Sequence, residues 1–121
     1  MSKRILVVED QEDNRRILRD LLSSAGFELI EATTGEEGVR LAEAERPDLV
    51  LMDVQMPVLD GHAATRRIKA QPELRHIPIV IVTSYALSGD EGKAREAGAD
   101  AYVSKPFSPR ELLATVRRFL P

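Results

Sequence analysis

Four short stretches carry side chains able to do chemistry, and each follows directly on an apolar run. They are Glu9-Asp10 after ILVV, Asp53 after LVLM, Thr83-Ser84 after IVI-V, and Ser104-Lys105-Pro106 after AYV. Taken singly, each group has an ordinary structural role: an acid favours the positive end of a following helix, and Asp is common in turns. A threonine caps a helix, and a lysine ends a strand in solvent. Taken together they ask for more. Three carboxylates repel one another unless a cation neutralises them, and hard divalent cations take oxygen ligands of this kind. A hydroxyl and an ammonium beside them suit the oxygens of a phosphoryl group better than they suit a metal. This is the equipment of phosphoryl transfer: a nucleophile in line, a divalent ion to offset charge, and donors around the equatorial oxygens. The chain has no glycine-rich P-loop, so no nucleotide cradle is evident and the phosphoryl donor is another molecule.

Such chemistry requires the four stretches to meet, and the chain's patterning supplies the means. Runs rich in Ile, Val and Leu occupy 4–8, 27–31, 48–52 and 78–82, with a weaker one at 100–104. Three are nearly continuous apolar runs, as expected of strands buried on both faces of a parallel sheet. Helical patterns fall between them, near 13–25, 35–45, 61–70, 89–97 and 109–119. Thr34 to Glu37, Ser88 to Glu91 and Ser108 to Glu111 each fit a capping box, with Pro109 at the first helical position. Gly26 and Gly98 stand where the first and fourth helices end, and Pro47 and Pro78 precede the third and fourth strands. Five β–α units in alternation predict an α/β fold: a doubly wound (βα)5 three-layer sandwich around a five-stranded parallel sheet. In such sheets ligands bind beyond the carboxyl ends of the strands, where strand order reverses. All four stretches lie at strand ends, so they share one rim.

The chain's 121 residues amount to one ordinary domain, expected over 1–121. With 43% hydrophobic and 31% charged residues it reads as globular with a real core. A net charge of −3 leaves no basic footprint for direct nucleic-acid binding. There is no cysteine, hence no disulfide and no thiolate metal site, which fits a reducing compartment. The first apolar run, Ile5 to Val8, is too short for a signal peptide or a membrane span. A cytoplasmic location with no membrane association is expected.

VVED, the acid at Asp53, MPVLDG, VTS and SKPF, in this order and at these strand ends, resemble the receiver domain of two-component response regulators. The likeness covers the whole chain. It implies the flavodoxin-like strand order 2-1-3-4-5 and a signalling module, not an enzyme acting on a separate metabolite. By this resemblance Asp53 is the phosphoacceptor, taking the group from phosphohistidine on a histidine kinase or phosphotransferase. Asp10 and Asp53 bind Mg²⁺ directly with the backbone carbonyl of Gln55, and Glu9 holds the ion through water. Many receivers have two aspartates where this chain has Glu9-Asp10. Lys105 pairs with a phosphoryl oxygen, Thr83 bonds another, and Pro57, Gly61 and Pro106 shape the surrounding loops, Pro106 through a cis bond. Phosphorylation then draws Thr83 inward and turns Tyr102 from exposed to buried, changing a face of helix four, strand five and helix five that a downstream protein reads.

Further positions follow with less chemistry. Gln55 and Tyr85, each two residues beyond a site residue, tune water access to the acyl phosphate in the family. Ile17, Leu18, Leu21, Leu22 and Ala25 form an apolar stripe on the first helix, whose edge at Ile17 suits a partner's helix. The arginine pairs 15–16, 66–67 and 117–118 read as solvated helix faces, and Ala86 and Leu87 as a candidate output surface. The resemblance fits a stand-alone regulator, monomeric or weakly dimeric; receivers fused to hybrid kinases are similar too. The enzyme alternative is a Mg²⁺-dependent aspartyl-phosphate phosphatase of the haloacid-dehalogenase type, whose nucleophile ends the first strand. An FMN-binding flavodoxin is disfavoured by the negative rim, and a receiver that works without phosphorylation by the complete acidic set.

Overall fold

Strand residues alternate between two apolar faces, and that alternation builds the layers. The computed structural model describes residues 2–54, 59–83 and 90–121. Its strands are β1 (Arg4–Val8), β2 (Glu28–Ala32), β3 (Leu49–Asp53), β4 (Ile79–Thr83) and β5 (Ala101–Ser104). Between and after them run α1 (Glu12–Ser24), α2 (Gly35–Glu45), α3 (Gly61–Lys69), α4 (Asp90–Ala97) and α5 (Pro109–Phe119). All pairings are parallel and the sheet order is β2-β1-β3-β4-β5. Leu6, Val8, Val50, Met52, Ile79 and Ile81 point to one side, where Val39 and Ala42 of α2, Ala64 and Ile68 of α3 and Ala94 of α4 cover them. Ile5, Val7, Leu49, Leu51, Val80 and Val82 point to the other, against Leu18 and Leu22 of α1 and Leu112 and Val116 of α5. The order reverses between β1 and β3, and that is where the rim gathers its acids.

Four strands begin one residue later than their apolar runs. An apolar run marks burial, whereas a strand begins with its first ladder bond, and Pro78 lends β3 only its carbonyl, 2.9 Å from the Val50 amide. Asp48 joins β1 from just before β3, its carboxylate accepting from the Arg4 amide at 2.8 Å and its own amide donating to the Arg4 carbonyl at 2.8 Å. Asp53 is the last residue of β3, as its place at the end of the apolar run indicated, and pairs with Val82.

The caps behave largely as the sequence indicates. Thr34 and Ser108 accept from the amides of Glu37 and Glu111 at 3.0 Å each. Glu37 reaches back to the Thr33 amide at 2.7 Å, one residue earlier than a regular capping box. The box at Ser88 lies outside the described residues. Gly26 and Gly98 take φ of 95° and 98°, the left-handed region that glycine tolerates. No described helix is long and apolar enough to cross a membrane.

Candidate functional site

β1 and β3 lie side by side, so the residues just past Val8 and at the end of β3 face each other on the rim. Glu9 and Asp53 are almost fully buried there, 1% and 4% exposed, and Asp10 is half-buried. Carboxylate oxygens of Glu9, Asp10 and Asp53 lie within 4.8 Å of one another. Lys105 reaches over from the end of β5, its Nζ 3.3 Å from Glu9 Oε1 and 3.5 Å from Asp53 Oδ1. Thr83, fully buried, ends β4, and its carbonyl accepts from the Lys105 amide at 2.6 Å. That bond carries the β4–β5 ladder past the strands and sets the lysine's origin. The following peptide, Lys105–Pro106, is cis.

Electrostatics follow from this crowding. Burial, and then the negative charge of Asp53, push the Glu9 carboxyl up from its ordinary value of 4.5. The Gln11 amide, 3.2 Å from Glu9 Oε2, and the Lys105 ammonium pull the other way. Three acids against one lysine leave a negative site, and three hard oxygens in that space match the donor set of a divalent cation. The residues present therefore fit Mg²⁺.

The neighbouring elements hold this rim closely. At Gly61 a side chain would meet Asp53 and Val54: an added Cβ would stand 2.8 Å from Val54 Cα and 2.9 Å from the Asp53 carbonyl carbon. α3 therefore starts hard against the strand end that presents Asp53. Asp60 caps that helix, accepting from the Ala63 amide at 2.9 Å, a role the sequence reading did not assign. A cleft of about 460 Å³ opens beside the acids, between Asn14, Ile17 and Leu18 of α1 and Lys105 to Phe107. Ile17, 57% exposed, stands in it, while Leu18 and Leu22 face the core. Tyr102 is half-buried, packed on the α2–α4 side of the sheet and bordering a second cavity with Arg95, Asp100 and Arg118.

Sequence reasoning thus brought together Glu9, Asp10, Asp53, Thr83 and Lys105. Gln55, Pro57, Ser84, Tyr85, Ala86 and Leu87 lie outside the described residues. One expectation is corrected. Arg15 is not on a solvated face: its side chain is 14% exposed and its Nη1 donates to the Glu9 carbonyl at 3.0 Å. The parallel register puts Glu31 of β2 beside it, which the local pattern could not reveal.

Comparison with known proteins agrees with this geometry. The chain matches the response regulator receiver domain family over residues 5–117. It is 42% identical over 120 residues to the polar-differentiation response regulator DivK of Brucella anthropi, spanning 99% of this chain and 98% of that one. DivK of Brucella ovis is equally similar. Among solved structures, the receiver domain of the sensor histidine kinase PA1611 of Pseudomonas aeruginosa superposes with a TM-score of 0.93 at 39% identity, covering 99% and 98% of the two chains. That structure has a magnesium ion coordinated in its active-site cleft. The chemotaxis protein CheY4 of Vibrio cholerae gives 0.92 at 28% identity, over 98% and 99%.

Proposed function

This chain belongs to the response regulator receiver family, and from that premise we propose that Asp53 is its phosphoacceptor, with the other rim residues serving the transfer. The chain is a phosphorylation-controlled signalling module. One observation carries the assignment of Asp53: three carboxylates within 4.8 Å of one another, faced by a lysine that bridges two of them.

The Asp53 carboxylate attacks the phosphorus of a phosphohistidine, and the P–N bond breaks with its electron pair leaving on the imidazole. The β3 ladder fixes the attacking group, since Asp53 is itself a strand residue paired with Val82. Asp10 and Asp53, with the carbonyl of Gln55, would hold Mg²⁺, with Glu9 acting through water, and the bound ion would supply positive charge to offset that building on the phosphoryl oxygens. Lys105 exchanges its carboxylate partners for a phosphoryl oxygen, and the Thr83 hydroxyl takes another. The added charge of about −1.5 to −2 then shifts Thr83 and Tyr102 between two arrangements, altering the face of α4, β5 and α5. The module assists its own phosphorylation and hydrolysis and turns over no separate metabolite.

Receivers exchange signals with histidine kinases and downstream targets; for this chain the donor is a histidine kinase or phosphotransferase docking at the cleft beside Ile17. The target is a protein, not nucleic acid. A cytoplasmic setting fits the cysteine-free composition. The phosphatase alternative is not favoured: the relatives are receivers, and the first strand is followed by Glu9-Asp10 while the rim's central acid, Asp53, ends the third.

Intact-protein mass after incubation with Mg²⁺ and acetyl phosphate tests this. Wild type gains one phosphoryl group and Asp53→Asn gains none. An adduct of equal yield on Asp53→Asn would place the acceptor elsewhere.

A further inference from the structure

Arg15 lies one turn into α1, and its guanidinium joins two elements. Nη1 donates to the Glu9 carbonyl at 3.0 Å, and Nε stands 3.5 Å from Glu31 Oε1 on β2. Arg19, a turn further on, takes both Glu31 oxygens at 2.7 and 2.8 Å. Glu31 thus anchors two arginines, of which Arg15 is the one bonded to the rim.

The Glu9 carbonyl and the Asp10 amide share one peptide plane. β1 ends at Val8, so this peptide lies beyond the strand. It is tethered upstream by the Glu9 amide, 3.0 Å from the Ala32 carbonyl. A cationic donor on the carbonyl fixes its rotation, through a stronger bond than a neutral donor gives.

We propose that Arg15 is a positioning residue: bridging Glu31 to the Glu9 carbonyl, it locks the Glu9–Asp10 peptide and thereby sets where the Asp10 carboxylate stands for a divalent cation. This rests on the assignment of Asp10 and Asp53 as Mg²⁺ ligands. Residues that orient metal ligands govern affinity by about 10–100-fold; Arg15 acts through one peptide, so about tenfold is expected. The sign is diagnostic. Loss of a nearby cation would by Coulomb's law tighten Mg²⁺ binding, whereas loss of positioning weakens it.

The test is calorimetric titration with Mg²⁺ of wild type, Arg15→Gln, Arg15→Lys, Arg19→Gln and Asp10→Asn, with thermal unfolding of each in its absence. Arg15→Gln should bind about tenfold more weakly. Arg15→Lys should also weaken, though it keeps the charge, because an ammonium lacks the planar fork that spans two partners. That variant carries the test if Arg15→Gln fails to fold. Arg19→Gln loses the Glu31 pair yet should bind Mg²⁺ as wild type does, even where its melting temperature falls. Equal or tighter binding by Arg15→Gln, with binding lost in Asp10→Asn, would overturn the proposal and spare the site. Equal weakening in Arg19→Gln would reduce Arg15 to a tie between α1 and β2. Wild-type affinity in Asp10→Asn would remove the metal assignment itself, and this proposal with it.

Discussion

Gly61→Ala isolates the junction between β3 and α3. The three atoms nearest the added methyl are all backbone: Val54 Cα at 2.8 Å, the Asp53 carbonyl carbon at 2.9 Å, and the Asp53 carbonyl oxygen closer still. Backbone atoms cannot rotate away as a side-chain tip can, so the whole helix start must move. Overpacking costs about 1–3 kcal/mol, and a purely backbone clash belongs at the upper end, about 3 kcal/mol. In a chain of this size each kcal/mol moves the melting temperature by about 4 °C, so a fall of about 12 °C is expected. Gly92 supplies the contrast. It lies within α4, exposed, with nothing within 4 Å of an added Cβ. Gly92→Ala should therefore stabilise, by about 0.5–1 kcal/mol, because alanine loses less backbone entropy in a helix. Thermal unfolding followed by circular dichroism, without Mg²⁺, reads both. Neither substitution changes charge, so electrostatics cannot produce the difference. A Gly61→Ala protein melting within about 2 °C of wild type would refute the close approach of α3 to β3. Where it folds, Gly61→Ala should also accept phosphate more slowly on the proposed assignment, since the clash falls on the peptide of Asp53.

Leu22→Ala empties a fully buried position of the α1–α5 side of the core and should cost about 2–5 kcal/mol in urea unfolding; less than about 1 kcal/mol would mean that the site collapses freely. Mg²⁺ should raise the melting temperature of wild type, by the equivalent of about 2.7 kcal/mol at 100 times its dissociation constant. The same addition should leave Asp10→Asn unmoved, and an equal rise in both would point to binding away from the rim. A further expectation concerns pH. The hydrogen bonds from Arg19 hold the Glu31 carboxyl below its ordinary value of 4.5, burial opposing them. A folded value lower than the unfolded one adds stability that is present above pH 4.5 and is lost as pH falls through the folded value. The melting-temperature gap between wild type and Arg19→Gln should thus be full near neutrality and close on acidification; a gap independent of pH would assign it to packing of the arginine stem.

The fold was legible because its signals are local. Apolar runs, the caps at Thr34 and Ser108 and the glycines at 26 and 98 each report on a few neighbouring residues, and the alternation of units then leaves few topologies. The rim was legible for a related reason: in a parallel sheet every strand delivers its last residue to the same edge. What stayed hidden depends on register. Arg15 and Arg16 look alike in sequence, and only the placement of Glu31 beside α1 buries one and leaves the other in solvent. The left-handed Arg46 that ends α2 was equally invisible, since a non-glycine residue there gives no local sign. Lys69 likewise reads as the end of a basic helix turn. Its ammonium in fact gathers the carbonyls of Arg75 and Ile77 and the carboxylate of Asp100, at 2.7–3.0 Å.

The bridging lysine also dates the moment at which the rim can first be complete. Lys105 meets Glu9 across 96 positions of the chain and Asp53 across 52. A ribosome adding about 5–20 residues per second takes roughly 3–10 s to pass from Asp53 to Lys105. Through that interval the emerging polypeptide carries Asp53 without the cation that faces it, and such distant pairings are among the slower ones to close. A prematurely terminated product would keep Asp53 and lack the lysine that pairs with it. A complete rim therefore doubles as a certificate that translation reached β5 and that the sheet closed around it.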